Sequence, residues 1–407
     1  MIRLRPQLRL FQTPSSSSGG AFLEAVVAER AVPLTAHLHG VIRVLAQGPV
    51  TDGAQIHERS GLPRAAVNAA LSTLHGLGLL QIKSDDDDDL WSRLSVDIND
   101  VPVIDQVELT NICPMQCVMC PTGTGRMTRK KANMSEELFA RVVNEAAAAP
   151  RMKPLTLHNL GESLLHPQLA SFVALAGAQG LQTELAGNPG HLPLDRYLAL
   201  EQAGLTRLIL DVDGLDKDTL EAIRGPGARG DRAFDHLDAL IDHRRRHPQQ
   251  TPFIVLQMIR QQRNAHQHQQ FIERYVDGAS DVTGLTAYLK EVDANTVDAD
   301  IGSGPLRIFQ DRPRRPYLCR APWRSVVVLV DGSVVPCCHD DNGAVVYGNL
   351  GTQTLREIWN GDVVKDLRRR MMNDAITASE PCFGCAHRAD RYTMPNVDHV
   401  PTEPLHW

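Results

Sequence analysis

Apolar side chains recur along this chain with two different periods, and the change from one to the other divides it. Between Leu34 and Ile82 the period is helical. H-L-H-G-V-I-R-V-L-A is followed by a break at G-P-V-T, a short segment through Ile56, a second break at G-L-P-R, then A-A-V-N-A-A-L-S-T-L-H-G-L-G-L-L and the strand-like L-L-Q-I. Three helices and a short strand in that order predict a winged helix-turn-helix. From about Val101 to Leu289, short apolar runs alternate with amphipathic stretches. The predicted strands are V-P-V-I-D-Q-V-E-L, P-L-T-L-H-N-L, Q-T-E-L-A, R-L-I-L-D-V-D, F-I-V-L-Q-M-I and L-T-A-Y-L. E-E-L-F-A-R-V-V-N-E-A and L-A-S-F-V-A-L-A-G-A are two of the helices between them. Repeated βα units imply a parallel sheet, so the expected fold class is α/β, a partial (β/α)6 barrel with its site at the C-terminal strand ends.

The organisation expected from these patterns is a disordered tail over 1–30, a winged-helix-like domain over 31–84, an acidic linker over 85–100, the partial barrel over 101–305 and a small cysteine-rich domain over 306–407. The N-terminal stretch lacks the apolar segment and cleavage site of a secretory signal. No run of about 18 apolar residues supports a membrane span, and the expected location is the cytoplasm.

A winged helix usually announces DNA binding. Here its only basic residues between His37 and Lys83 are Arg43, Arg59, Arg64 and Lys83, and the run Asp85 to Asp89 follows where a wing would approach phosphates. Phosphate neutralisation needs clustered Lys and Arg, so nucleic acid is not an expected partner. A packing element or a peptide-binding module are the remaining uses. The formal charge of −6 favours solubility and suits a neutral or cationic partner.

The chemistry is carried by cysteines. All eight fall in short clusters, at 113, 117, 120, 319, 337, 338, 382 and 385, which suggests metal rather than disulfides in a cytoplasmic protein. C-P-M-Q-C-V-M-C directly follows the first predicted barrel strand and opens a loop rich in Pro and Gly, where three side chains can converge. Three thiolates leave one corner of an iron-sulfur cube unligated. A zinc site would need a fourth close Cys or His, and none follows until His158.

This C-x3-C-x2-C spacing resembles that of the radical S-adenosylmethionine (SAM) superfamily, and the likeness extends over Val101 to Leu289 and on through the cysteine-rich C-terminus. The resemblance makes Cys113, Cys117 and Cys120 ligands of a 4Fe-4S cluster that binds SAM. N-L-G-E-S-L-L-H-P resembles the family's glycine-glutamate motif, placing Gly161 and Glu162 at the SAM amino group. Leu160 stands there for the usual first glycine and Ser163 for the usual proline. L-A-G-N-P-G places Asn188 near the cofactor, and L-I-L-D-V-D-G places Asp211 near the ribose or amino group. Arg224 matches an arginine that relatives aim at the SAM carboxylate. Gln257 would line the adenosyl pocket, and Met119 would pack near adenine. Such a site delivers one electron into the sulfonium and yields a 5′-deoxyadenosyl radical that removes hydrogen from carbon.

The other five cysteines lie in Y-L-C-R-A-P-W, V-V-P-C-C-H-D and P-C-F-G-C, and the phrases G-N-L, E-I-W-N-G and D-L-R-R-R between them resemble the auxiliary-cluster domains called SPASM and twitch. The resemblance implies one auxiliary 4Fe-4S cluster on Cys319, Cys337, Cys382 and Cys385, with Cys338 left over; the spacing also allows Cys338 in place of Cys337. One auxiliary cluster with these spacings is similar to the radical SAM enzymes of aminoglycoside biosynthesis, an aminocyclitol dehydrogenase and a paromamine-type diol dehydratase. The expected activity is therefore hydrogen abstraction from a hydroxyl-bearing carbon of an aminoglycoside or related sugar, leading to dehydration or dehydrogenation. An external electron donor such as flavodoxin or ferredoxin is implied, and a separate NAD(P)H-dependent reductase could complete a deoxygenation. The alternative is a peptide maturase whose winged helix holds a leader segment. A third class, a regulator with a redox-sensing cluster, conflicts with the SAM motifs. No general base is identified; Lys290, Glu291 and Asp293 read as a charged surface loop past the last barrel strand.

Overall fold

The computed structural model describes residues 101–149, 153–248, 251–290, 319 and 321–373, with shorter stretches between 2 and 98 and between 375 and 385. The chain divides into two compact units, Met1–Ser95 with Tyr392–Trp407, and Val96–Arg391.

In the first unit, strands β1 (Ile2–Leu4), β2 (Leu8–Gln12), β3 (Ala21–Ala25) and β4 (Arg30–Pro33) precede helices α1 (Ala36–Ala46), α2 (Gly53–Ser60) and α3 (Arg64–Gly76) and strand β5 (Leu80–Ile82). The three helices bury the apolar positions whose period predicted them: Leu38, Val41, Ile42 and Leu45, then Ile56, then Val67 and Leu74. The segment read as a tail differs from expectation. β2, β3 and β4 form an antiparallel meander with Phe11 opposite Phe22, and β1 pairs with β5. The reason is visible in L-R-L-F-Q and A-F-L-E-A, two alternating runs on either side of a Ser/Gly stretch that suits a turn. The acidic run lies outside the described residues.

The second unit holds β6 (Val103–Val107), α4 (Glu136–Ala147), β7 (Leu155–Thr156), α5 (Leu169–Ala178), β8 (Thr183–Gly187), α6 (Leu194–Gln202), β9 (Arg207–Asp211), α7 (Lys217–Arg224), α8 (Gly230–Arg246), β10 (Phe253–Ile259), α9 (His268–Phe271) and β11 (Leu285–Lys290). All six predicted barrel strands are present, in the order β11-β10-β9-β8-β7-β6, and all are parallel. Local signals start the helices: Ser135 accepts the Leu138 N–H at the head of α4, and Asp216 accepts the Thr219 N–H at the head of α7. Phe139 of α4 stacks on Phe172 of α5 at 4.2 Å, part of a continuous core with Leu185, Leu208, Leu210, Ile254 and Leu256.

The C-terminal segment, expected as a small cysteine-rich domain, adds strands to the barrel sheet: β12 (Ser325–Val328) pairs in parallel with β6, and β13 (Ser333–Val335) and β14 (Gly348–Asn349) extend the same sheet antiparallel, followed by α10 (Leu355–Trp359) and α11 (Asp362–Met372). V-V-V-L-V supplies a fully apolar strand that covers the open edge of β6 and shares its core. Among the described residues no helix is long and apolar enough to cross a membrane. Lys290 ends β11; Glu291 and Asp293 lie outside the described residues.

Candidate active site and cysteine centres

The loop carrying Cys113, Cys117 and Cys120 leaves the C-terminal end of β6, as a parallel sheet with a site at that end requires. Its two ends are tied together by buried Asn111, which donates to the Lys130 carbonyl and accepts the Ala132 N–H, at 2.9 and 2.8 Å. Its middle lies on the end of α7: Gln116 and Val118 donate backbone N–H bonds to the Arg224 and Ile223 carbonyls. Contact this close needs glycine. A Cβ on Gly227 would stand 2.1 Å from the Pro114 carbonyl oxygen, and one on Gly123 would stand 2.4 Å from the Cys117 nitrogen. Met119, expected near adenine, packs with Cys113 and Cys120 against Met115, Cys117, Leu220 and Ala228. Burial pushes the Cys113 thiol up to about 11 and the Cys117 thiol up to about 12. Ligation by iron requires thiolates, so loading this trio releases protons.

Beside the trio, Glu162 lies in the loop after β7 and caps the short helical turn Ser163–Leu165. Its Oε1 accepts the Leu164 N–H and its Oε2 the Asn188 N–H, both at 3.0 Å. The carboxyl is 2 % exposed, and burial, opposed by those two N–H groups, raises it to about 7. It lies close enough to the Cys113 thiol to raise that thiol's pKa. Gly161 has no room for a side chain, since its Cβ would stand 2.0 Å from the Thr110 carbonyl oxygen. Asn188 accepts the Gly190 N–H at Oδ1, while its buried Nδ2 has no partner among the described residues. A buried acid that would ionise fully only against a cation, an unsatisfied amide and three thiols from one loop fit a 4Fe-4S cluster with the amino group of SAM.

Arg224, expected at the SAM carboxylate, is engaged with carboxylates of the protein. It donates from Nε to Asp213 at 2.6 Å, its Nη2 lies 3.2 Å from Asp211, and its Nη1 reaches the Cys117 sulfur at 4.0 Å. Burial works against this charge, and the carboxylates of Asp211 and Asp213 more than offset it, raising the guanidinium well above its ordinary value. Asp211 also accepts from Gln257 Nε2 at 2.5 Å, and Gln257 Oε1 accepts the Tyr288 hydroxyl at 2.9 Å. Asp211, Gln257 and Tyr288 are adjacent in register on β9, β10 and β11, which is why one row joins them. Asp213, fully buried and also accepting the Ile259 N–H, is a member the sequence reading missed; the second aspartate of D-V-D, two positions on and thus on the same strand face, was the available signal.

The second group includes the pair just after β13. Cys337 is half-buried, and desolvation first, then the thiols of Cys338, Cys319 and Cys382, hold its pKa well above the ordinary value. Cys338 packs on Val327, Leu329 and Val335, whereas Cys319 and Cys382 pack on the main core. Cys385 is half-buried. Asp340 fastens the loop after the pair by accepting the Ala344 and Val345 N–H groups. No disulfide joins any of the eight cysteines. Among the described residues no three His, Cys, Asp or Glu side chains close on a single ion; in a cube each thiolate takes a different iron.

The two regions are fastened together. Arg129, from the strand-like return of the first cysteine loop, makes a two-pronged ion pair with buried Glu108 at 2.7 Å on each prong and donates to the Asp341 carbonyl. Asn342 accepts the Thr128 N–H and donates to the Arg126 carbonyl. Neither pair was legible beforehand, because more than 200 residues separate the partners of the second.

Residues 107–257 match the radical SAM superfamily, and residues 319–386 match the iron-sulfur cluster-binding domain SPASM. The chain is 34 % identical over 67 residues to an S-adenosyl-L-methionine-dependent 2-deoxy-scyllo-inosamine dehydrogenase of Niallia circulans, a match covering 16 % of this chain and 27 % of that protein. It is 30 % identical over 131 residues to a PqqA peptide cyclase of Methylorubrum extorquens, covering 32 % of this chain and 33 % of that one. The matches thus span about a third or less of these relatives. Among solved structures, SuiB of Streptococcus suis bound to S-adenosylmethionine aligns over 95 % of this chain and 94 % of its own, with a TM-score of 0.50 and 11 % identity, a likeness of fold. The cysteine loop at the end of β6, the matched superfamily domain and the matched cluster-binding segment together place the chain in the radical SAM superfamily, with SAM and a 4Fe-4S cluster as cofactors of its barrel and auxiliary iron-sulfur binding in its SPASM segment.

Proposed function

We propose that this radical SAM enzyme acts on a hydroxyl-bearing carbon of an aminoglycoside or related aminosugar, by dehydrogenation or by dehydration. The observation that carries this reading is the polar inner face of the barrel. Thr156, His158, Glu184, Arg207, Asp211, Gln257, Thr286 and Tyr288 share one face of β7 to β11 and are all partly exposed except Gln257. These groups already pair among themselves, Glu184 with Arg207 and Asp211 with Gln257 and Arg224, and a sugar bearing hydroxyl and ammonium groups could exchange into that polar network. Acidic Glu184 and Asp211 suit the ammonium groups, in line with the net charge of −6. His158 accepts the Ala186 N–H at Nδ1, 2.9 Å, so its ring proton sits on Nε2; burial lowers its pKa and keeps it neutral. In this reading it donates to a substrate hydroxyl.

Cys113, Cys117 and Cys120 would hold the cluster, and Gly161, Glu162 and Asn188 the methionyl end of SAM. Bound there, the two cofactors supply a radical that removes hydrogen from substrate carbon. Cys319, Cys337, Cys382 and Cys385 would hold one auxiliary cluster. An electron carrier of the flavodoxin or ferredoxin kind would supply electrons. The second reading, peptide modification, is favoured by the similarity to PqqA peptide cyclases and by the separate N-terminal unit, which could seat a leader. The deciding experiment incubates anaerobically reconstituted enzyme with SAM, a reductant and either a panel of paromamine-like sugars or candidate short peptides. Substrate-dependent 5′-deoxyadenosine with a sugar is the expected result; formation with peptides alone overturns the first reading.

A further inference from the structure

Three buried hydrogen-bond donors lie together in the C-terminal segment, and none has a partner among the described residues: the Tyr347 hydroxyl, Trp359 Nε1 and Arg368 Nη2. Their side chains are 4 %, 1 % and 0 % exposed. Burying a donor without a partner is costly, so three in contact with one another demand a reason. They are in contact: the Arg368 guanidinium lies 4.3 Å over the Trp359 ring, and the Tyr347 and Trp359 rings meet edge to face at 6.4 Å. The other nitrogens of Arg368 are used, Nε on the Pro322 carbonyl and Nη1 on the Val96 carbonyl, both at 2.8 Å. The first of these bonds holds the turn just after Cys319.

Tyr347 is the member of the trio nearest the cysteines: after burial itself, the charges that raise its phenol are those of Cys382, Cys337 and Cys319, and Trp359 and Arg368 adjoin it. Arg368 is brought down to about 10 by burial and stays protonated at neutral pH, so the trio comprises one cationic and two neutral donors. Thiolate and sulfide are weak, diffuse acceptors, and hydrogen bonds to them stabilise the more negative, reduced state of a cluster. We propose that Tyr347, Trp359 and Arg368 form a donor set for the sulfurs of the auxiliary cluster and raise its midpoint potential. The residues belong to the Y-G-N-L, E-I-W-N-G and D-L-R-R-R phrases, so the set accounts for side chains that supply no cluster ligand. The inference rests on the ligand reading for Cys319, Cys337 and Cys382.

The test is a redox titration of the anaerobically reconstituted full chain, followed by electron paramagnetic resonance with and without SAM, because SAM alters only the signal of the cluster it binds. Tyr347→Phe removes one donor and keeps the ring. The auxiliary midpoint is expected to become more negative, the reduced-to-oxidised ratio at fixed potential falling about three- to tenfold, where tenfold corresponds to about 59 mV for one electron. The SAM-responsive signal is expected to keep its midpoint. An auxiliary midpoint unchanged in a variant that retains its iron overturns the proposal. Should Tyr347→Phe lose that iron, Trp359→Phe decides in the same titration by the same criterion. A Cys337→Ala variant that keeps the second signal would show that the ligand reading itself has failed, and the donor set falls with it.

Discussion

Two cysteine regions occupy the same sheet and are built in opposite ways. The first is a loop held by backbone: Asn111 closes its ends, α7 supports its middle, and glycines at 123 and 227 allow main chain to pass against main chain. The second draws its cysteines from three separate turns beside a side-chain cluster, in which Arg368 lies over the Trp359 ring and Tyr347 meets that ring edge to face. A site that must keep one corner open for a second molecule needs its ligands fixed by rigid scaffolding, because nothing on the open side restrains them. A closed site restrains itself through a fourth thiolate, and its surroundings are free to tune it.

The sharpest way to break this comparison is to remove one sulfur from each side. Cys117→Ala is expected to abolish SAM cleavage and lower iron from about eight to about four atoms per chain. Cys337→Ala should cost the same iron yet leave SAM binding by calorimetry intact. Equal loss of SAM binding in both would mean that the regions are not independent.

Arg129→Met probes the fastening between them. It strands Glu108, which is fully buried, and should lower stability by about 3–5 kcal/mol in denaturant unfolding. The double change Arg129→Met with Glu108→Gln should recover part of that loss.

Glu162→Gln tests the open site through pH. An acid held at about 7 in the fold against about 4.3 when unfolded favours the folded state below about pH 4, and this contribution is lost as pH rises through 7. The apo variant should therefore gain stability over the parent as pH goes from 5 to 8, by on the order of 3 kcal/mol at the upper end. A melting difference that stays flat across that range would mean the carboxyl is not desolvated. In the parent, SAM binding at pH 7 should release protons as an ammonium group draws the carboxylate into its charged form.

The smallest effect is expected at Cys338. Its side chain packs on valine and leucine, so Cys338→Ala should retain the auxiliary signal and cost about 1 kcal/mol. Loss of the signal would exchange its role with that of Cys337.

The barrel strands and the cysteine loop were legible because each depends on local pattern, apolar runs bounded by turns and three thiols within eight residues. Gly161 and Glu162 were legible as a motif. Asp213 was not, since its meaning comes from meeting Arg224 across two loops, nor was His158, whose role follows from a cross-strand bond to Ala186. The ion pairs of Arg224 were not legible for the same reason. Its partners, Asp211 and Asp213, lie eleven or more positions away, and only the turn into α7 brings them together. The added strand β12 read as an apolar run, but nothing local could say that it would lie beside β6.

That pairing has a mechanical corollary. Cys113 lies beyond the C-terminal end of β6, whereas β13 runs antiparallel to β12 and so releases Cys337 toward the other end of the same strands. The span between the two cysteine groups is therefore fixed by strand length as well as by rungs about 4.8 Å apart, and no hinge enters it.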